Sequence, residues 1–554
     1  MSRPSDHYDA PASAGIVQPH LGFAGWLRWF WRQLTNMRTA LFLLLLLAIA
    51  AVPGSLVPQR SSDPNGVTQY FADNPDLAPL LDTVQAFDVY SSAWFSAIYL
   101  LLFISLIGCV IPRTKHHYLA LRAKPPRTPV RLSRLAGFTT RIAPAGTDAP
   151  AAVESARRLL KTSGYRAAVF ENRGETSVSA ERGYLRETGN LVFHFALVGI
   201  LITVGFGGGF GFSGQRVLVE GQTFVNTLLA YDSFNPGRFF NDTSLTPYKL
   251  TLDNFDVTYE EKNLKAYGQP IDFTAEVTIS PRGEAAEASQ VKVNGPARTG
   301  GTDVYLLGNG YAPTLTVKDP NGVVVFTDSV PFLPQDANLT SLGVIKVPDG
   351  LAEQLGMIGF FYPTQATADS GAFFSSYPDL QYPLLTLNVY SGDLGLDAGV
   401  PTSVYSLDID KMTQLTGGKT DVESIELKPG ETRELPNGLG SVTFDDANPG
   451  AQNGDFSGSV LRFASFDIHH DPTQLWVLSF AVLALLGLLT SLFVPRRRVW
   501  VKAVPEQDGS LRLEYAGLAR GEDPTLESAV SDLADRHTHL LLSSQSATPA
   551  SEQK

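Results

Sequence analysis

One cysteine, Cys109, stands among 554 residues, and it lies inside an apolar run. The chain therefore forms no internal disulfide, holds no CxxC redox pair, and has no CxxCH site for a covalently attached c-type haem. Other signatures are missing too. The sequence contains no Walker loop, no GxSxG and no HExxH, so it offers no ready nucleotide, serine-hydrolase or zinc-hydrolase site. Basic charge is scarce in its long middle, where residues 210–472 carry 15 Lys or Arg against 33 Asp or Glu. An acidic domain of that size argues against a nucleic-acid partner.

What the sequence does have is long apolar runs. Mean hydropathy near zero conceals four of them: Thr39–Val57, Ser92–Ile111, Gly189–Gly205 (extending toward Phe212) and Thr473–Val494. Each reaches the roughly 20 residues needed to cross a hydrocarbon core of about 30 Å. The first begins after 38 residues and lacks a small-x-small cleavage site, so it reads as a retained anchor rather than a signal peptide. Basic residues flank the runs. Arg28, Arg32 and Arg38 precede the first, 15 Lys or Arg fall within Arg113–Arg186, and Arg496–Arg498 follow the last. The short loop between the first two runs has only Arg60. Because basic flanks stay in the cytoplasm, both termini are expected inside and residues 210–472 outside, in a bacterial-type cytoplasmic membrane.

The expected fold class is a membrane protein with four transmembrane helices and a large β-rich extracytoplasmic domain, an antiparallel sandwich or barrel-like fold. The divisions are a cytoplasmic head at 1–38, partly disordered, and spans at 39–57, 92–111, 189–209 and 473–494. Between them lie an outer loop with an amphipathic helix at 58–91, a basic cytoplasmic connector with a small αββ unit at 112–188, and the β-rich domain at 210–472. A cytoplasmic tail at 495–554 closes the chain. Tyr248–Tyr259 alternates apolar and polar residues as a half-buried strand does, and Thr314–Thr327 reads as a hairpin about Asp319–Gly322. After the last span, Trp500–Ala516 reads as a hairpin and Asp523–Asp535 as a helix.

Of nine histidines, His7 and His20 lie in the head and His537 and His539 near the tail; His116 and His117 follow the second span, where interfacial solvation accounts for them. His194 stands apart because it sits inside the third apolar run, GNLVFHFALVGILITVG. An ionisable side chain is costly there and marks a functional site by default. Asn190, Leu197, Val198 and Leu201 fall near its side of a helix, while Ala196, Gly199 and Thr203 form a small-residue seam suited to helix packing. A neutral imidazole so placed ligates haem iron or another metal, relays a proton, or hydrogen-bonds across the bundle. His469 and His470, in FASFDIHHDPTQLW beside the last span, are the other ligand candidates; on a strand, neighbours point to opposite sides.

Several stretches, in order, resemble the ResB (CcsB) family of cytochrome c biogenesis proteins. They are TALFLLLLLAIAAVPGSLVPQ, FDVYSSAWFSAIYLLLFISLIGCVIPR, GNLVFHFALVGILI, LDNFDVTY, VKVNGPARTGGTDVYLLGNGYAPTLTVKDPNG and LFVPRRRVWV. The resemblance implies the System II route, in which such a protein pairs with a polytopic ResC (CcsA) partner to move haem outward and attach it to apocytochrome c. It implies His194 as an axial haem ligand, with haem transported or transiently bound. It implies no other metal and no catalytic residue, which makes the chain a non-catalytic or co-catalytic subunit of a cytochrome c synthase. The partner's Trp-rich outer motif is absent from this sequence, so the ResC part is a separate chain, and thioredoxin-like proteins are expected to keep the target cysteines reduced. The rival reading is a membrane-anchored sensor or assembly factor whose outer domain binds a ligand or protein without haem.

Overall fold

A computed structural model describes residues 22–546 apart from 173, 397–404, 419 and 453. His7, His20 and the last eight residues lie outside the described residues. The chain divides into two compact units, one of residues 1–205 with 473–554 and the other of residues 206–472.

The first unit holds the long apolar helices, Met37–Leu56, Ala93–Arg122, Leu185–Phe210 and Gln474–Phe493, of which the third runs on into the second unit. They make this a multi-pass membrane protein. Leu41, Leu44, Leu45 and Ile49 of the first span are more than half exposed, as are Leu475, Leu478 and Leu492 of the last. Apolar surface of that extent needs lipid to cover it. The second span outruns its apolar run by three turns, because Pro112 does not stop it and the basic residues after it favour helix. A further helix, Phe23–Leu34, carries Trp26, Trp29, Phe30 and Trp31 and precedes the first span. The expected amphipathic helix of the first loop is broken into two, Pro64–Asp73 and Ala78–Thr83, followed by a 3₁₀ turn at Ala86–Ser91. Arg60 joins the second helix to that turn through Asp82 at 2.7 Å and through Asp88, and Gln59 donates to the Ala86 carbonyl at 2.9 Å.

The connector and the tail are not separate structures. Their strands form one antiparallel sheet in the order Thr139–Ile142, Leu511–Ala519, Arg497–Pro505, Glu175–Arg182, Arg166–Asn172. Two helices, Ala149–Thr162 and Leu526–Ser546, cover one face. Asp148 caps the first by accepting from Ala151 N, and Ala152, Val153, Ala156, Leu159 and Leu160 recur at helical spacing on its buried side. They pack on Val178, Val499, Val501 and Leu513, alternate residues of the central strands. On the opposite face Trp500 and Ala516 pack with Leu132.

The second unit is β-rich, antiparallel and open, with no closed barrel among the described residues. Its described residues form two large apolar cores. One lies between a five-stranded sheet built on Thr302–Ala312 and Leu461–His470 and a four-stranded sheet built on Tyr248–Tyr259 and Pro270–Pro281. The other lies between the sheet of Thr314–Lys318 and that of Ser341–Val347, Leu355–Tyr362 and Leu384–Gly392. The hairpin about Asp319–Gly322 forms as its turn residues dictate. Asp319 accepts from Asn321 N at 2.9 Å and Val323 N at 2.8 Å, and Gly322 takes φ +82°.

Candidate functional site

The third span begins at Leu185, one turn before its apolar run, so His194 lies nine residues along the helix, about 13 Å at 1.5 Å per residue. Its Nδ1 lies 2.7 Å from the Asn190 carbonyl oxygen. A carbonyl only accepts, so Nδ1 carries the proton and Nε2 keeps a lone pair. The ring stands edge-on to Phe193, with centroids 5.1 Å apart, and the side chain is half-buried. Orientation of an imidazole through its other nitrogen is how metal-binding histidines are held.

Two sets of contacts fix the rotation of this helix. On one side the helix meets the last span by close backbone approach. A Cβ added to Gly189 would lie 2.7 Å from the Gly487 carbonyl oxygen, and one added to Gly199 would lie 2.5 Å from the Phe480 ring. Ala196 is fully buried and Thr203 nearly so. On the other side lies the second span. Tyr99 donates to the Leu201 carbonyl at 2.5 Å, and His117 lies 3.3 Å from the Glu187 carboxylate and 3.0 Å from the Thr188 hydroxyl. Glu187, His194 and Leu201 are seven residues apart and so share one stripe.

His117 is therefore buried in a network rather than solvated at an interface as its basic neighbours suggest. No local pattern reveals this, since its partners lie 70 and 71 residues away. His537 is a second surprise, being wholly buried between the Tyr515 hydroxyl at 2.7 Å and the Ala152 carbonyl at 3.0 Å. Cys109 serves packing: its thiol donates to the Thr35 carbonyl at 2.8 Å, beside Ser105, which donates to that of Leu34 at 2.6 Å.

His469 and His470 end a strand and diverge, as adjacent strand residues do. His469 is exposed, whereas His470 places Nδ1 2.6 Å from the Gly301 carbonyl and stacks on Phe212 at 5.4 Å between centroids. They do not form a joint ligand pair. Among the described residues no group of three or more His, Cys, Asp or Glu could hold a metal ion. An iron already held by four porphyrin nitrogens needs only one or two axial donors from protein, and the anchored imidazole of His194 suits that demand.

A sequence model described as the ResB-like family matches residues 37–531. Among curated proteins, "Cytochrome c biogenesis protein CcsB" of Synechococcus sp. (strain WH7803) is 30% identical over 277 residues, covering 49% of this chain and 58% of its own length. The CcsB proteins of Synechococcus sp. (strain CC9311), 28% identical over 284 residues, and Paulinella chromatophora, 26% identical over 294, align over 50% of this chain. They are covered over 59% and 61% of their own lengths, so about three fifths of each relative is matched. With the family match running from the first span to the helix after the last, the chain belongs to the ResB-like family.

Proposed function

We propose that this protein is a membrane subunit of the System II cytochrome c biogenesis machinery. It helps haem cross the cytoplasmic membrane and be presented with apocytochrome c for attachment at CxxCH. The observation that carries this reading is His194, an imidazole in an apolar span whose Nδ1–H is committed to the Asn190 carbonyl and whose Nε2 is left to ligate. Its support from kinship is the ResB-like match and the printed names of the CcsB relatives.

In this reading the chain holds haem rather than making a bond on it. Bound haem supplies the vinyl groups that cysteine thiols attack. His194 fixes the iron's place in the span, the glycine contacts with the last span fix the helix, and apolar neighbours exclude water. The β-rich unit is a scaffold surface outside the membrane, and the termini are inside, as the basic flanks favour. A ResC/CcsA-type polytopic protein is the partner, with thioredoxin-like reductants acting on the apocytochrome. His470 shares the anchored-Nδ1 arrangement and is the second candidate ligand, with exposed His469 behind it.

The test is the absorption spectrum of the chain co-purified with its partner subunit, with haem quantified. A Soret band is expected, and His194→Ala is expected to lower haem content at least tenfold and to abolish cytochrome c maturation with the protein still in the membrane. Unchanged haem content in that variant refutes the ligand role. Absence of any Soret band in the wild-type complex favours the sensor or assembly-factor reading, with His194 a hydrogen-bonding residue.

A further inference from the structure

The face of the five-stranded sheet opposite its two helices carries charge where the strands meet the ends of the second and third spans. Register sets Arg498 opposite Glu181 on one neighbouring strand and Leu518 on the other, and Arg520 N donates to the Arg496 carbonyl at 3.0 Å. With alternation along each strand, Glu181, Arg496, Arg498, Leu518 and Arg520 share one side. Together with His116, Ala120 and Glu187 from the two spans they line a cleft of about 450 Å³.

The cleft is built in two layers. At its floor Arg496 lies 2.7 Å from Glu181 and also pairs with Glu187, and Tyr184 donates to Glu181 at 2.9 Å. Arg498 reaches Glu181 through Nε at 3.0 Å, and Arg520 pairs with Glu187. Two carboxylates thus face three arginines, and Arg186, bonded to the Arg520 carbonyl, adds a fourth cation. The surplus sits at the mouth, where Arg498 is 35% and Arg520 71% exposed, while Glu181 is 3% exposed. The glutamates hold the guanidinium groups in place without neutralising them, which preorganises donors for an anion. Exposed Leu518 stands at the rim, with Ala519 and Ala120 of the second span lining the cleft beside it.

We propose that this cleft binds the phosphate headgroup of an anionic phospholipid. Basic pockets at the ends of membrane helices have that chemistry, and the apolar rim gives the acyl chains a surface that free phosphate would not need. A seated headgroup ties the sheet, the second span and the third span together at the base of the helix that carries His194.

Native mass spectrometry of the full chain released from detergent, with phosphatidylglycerol and phosphatidylcholine titrated separately, tests this. Wild-type protein is expected to retain phosphatidylglycerol selectively. Arg498→Gln/Arg520→Gln is expected to weaken that binding about tenfold or more, and Arg520→Gln alone, at an exposed position that does not threaten folding, by severalfold. Arg433→Gln, exposed in the β-rich unit, is the unaffected control. Equal retention of the two lipids overturns the proposal, as does undiminished binding in the Arg520→Gln variant. Competition by millimolar inorganic phosphate that displaces the lipid fully would assign the cleft to free phosphate instead and overturn the lipid assignment.

Discussion

Acidification should loosen the five-stranded sheet and its helices before it loosens the rest of the chain, and the cause is His537. The side chain is fully buried. Because the Ala152 carbonyl only accepts, Nε2 carries the proton and Nδ1 accepts from the Tyr515 hydroxyl. Burial pushes its pKa down from 6.5 to about 4, a shift only partly offset by the Ala152 hydrogen bond. The folded state thus keeps this imidazole neutral while the unfolded chain takes up a proton. Its contribution to stability is complete above about pH 6.5 and drains away as pH falls toward 4, the loss reaching about 2 kcal/mol at pH 5 and about 3 kcal/mol in the acid limit. Neighbouring carboxylates act lower. Burial raises Glu181, but hydrogen bonds from Arg496 and Tyr184 outweigh it and hold the group below 4.5. The Arg497 hydrogen bond likewise holds Asp523 below 3.8. Their contributions are lost only beneath those values, so the interval from 6.5 to about 5 belongs to histidine. Hydrogen exchange of the full chain at pH 7.5 and pH 5, corrected for intrinsic rates, reads this directly. Protection over Ala149–Thr162 and Leu526–Ser546 should fall at pH 5 in the wild type and hold in His537→Gln. Equal acid loss in both proteins would refute the argument.

Three further outcomes are expected. Gly487→Ala inserts a methyl group 2.6 Å from Phe193 N, so it should cost about 1–3 kcal/mol and lower haem content with His194 intact; an unchanged melting midpoint counts against the close helix contact. Arg462 binds the Tyr311 hydroxyl at 2.6 Å and Asp379 at 2.8 Å from a side chain only 12% exposed. Arg462→Met should destabilise by about 2–4 kcal/mol, the half-exposed Asp379 moderating the loss, as read by denaturant unfolding; a change below 1 kcal/mol would be inconsistent with a buried pair. Reporter fusions at Lys161 and Lys428 should report opposite sides of the membrane, and finding both on one side would overturn the orientation.

The spans were legible because their signal is local: about 20 apolar residues suffice, whatever the rest of the chain does. His194 was legible as an anomaly within such a run. The αββ segment was legible as elements, its strands meeting about residues 172–175, yet not as a domain, because its sheet is completed by Arg497–Pro505 and Leu511–Ala519. Arg141 and Asp535, 394 residues apart, are bonded at 2.8 Å, and periodicity within a window carries nothing about such pairings. The same blindness left His537 looking like a tail residue and His117 like a solvated one. In the β-rich unit, alternation found strands such as Tyr248–Tyr259, but their sharing between two cores depends on long-range pairings such as Thr302–Ala312 with Leu461–His470.

The third span shows why an isolated imidazole is held so firmly. A helix with only apolar side chains rotates and slides at little cost in lipid, since one apolar face is much like another. This helix is fixed on two sides by contacts that tolerate neither motion. Gly189 and Gly199 accept the last span only where no Cβ intervenes, and turning the helix by one residue would swing Val198 or Ile200 into the Phe480 ring. Glu187 and the Leu201 carbonyl bond side chains of the second span at the two ends of the stripe that holds His194. Sliding by one turn, about 5.4 Å, would break both. The polar contacts are thus worth more as alignment than as stability, because they convert a lipid-soluble helix into one whose single ionisable mid-span group keeps a fixed bearing. Losing Glu187 should therefore misplace the imidazole before it unfolds the bundle, and the arginine-lined cleft around that glutamate lies where such alignment begins.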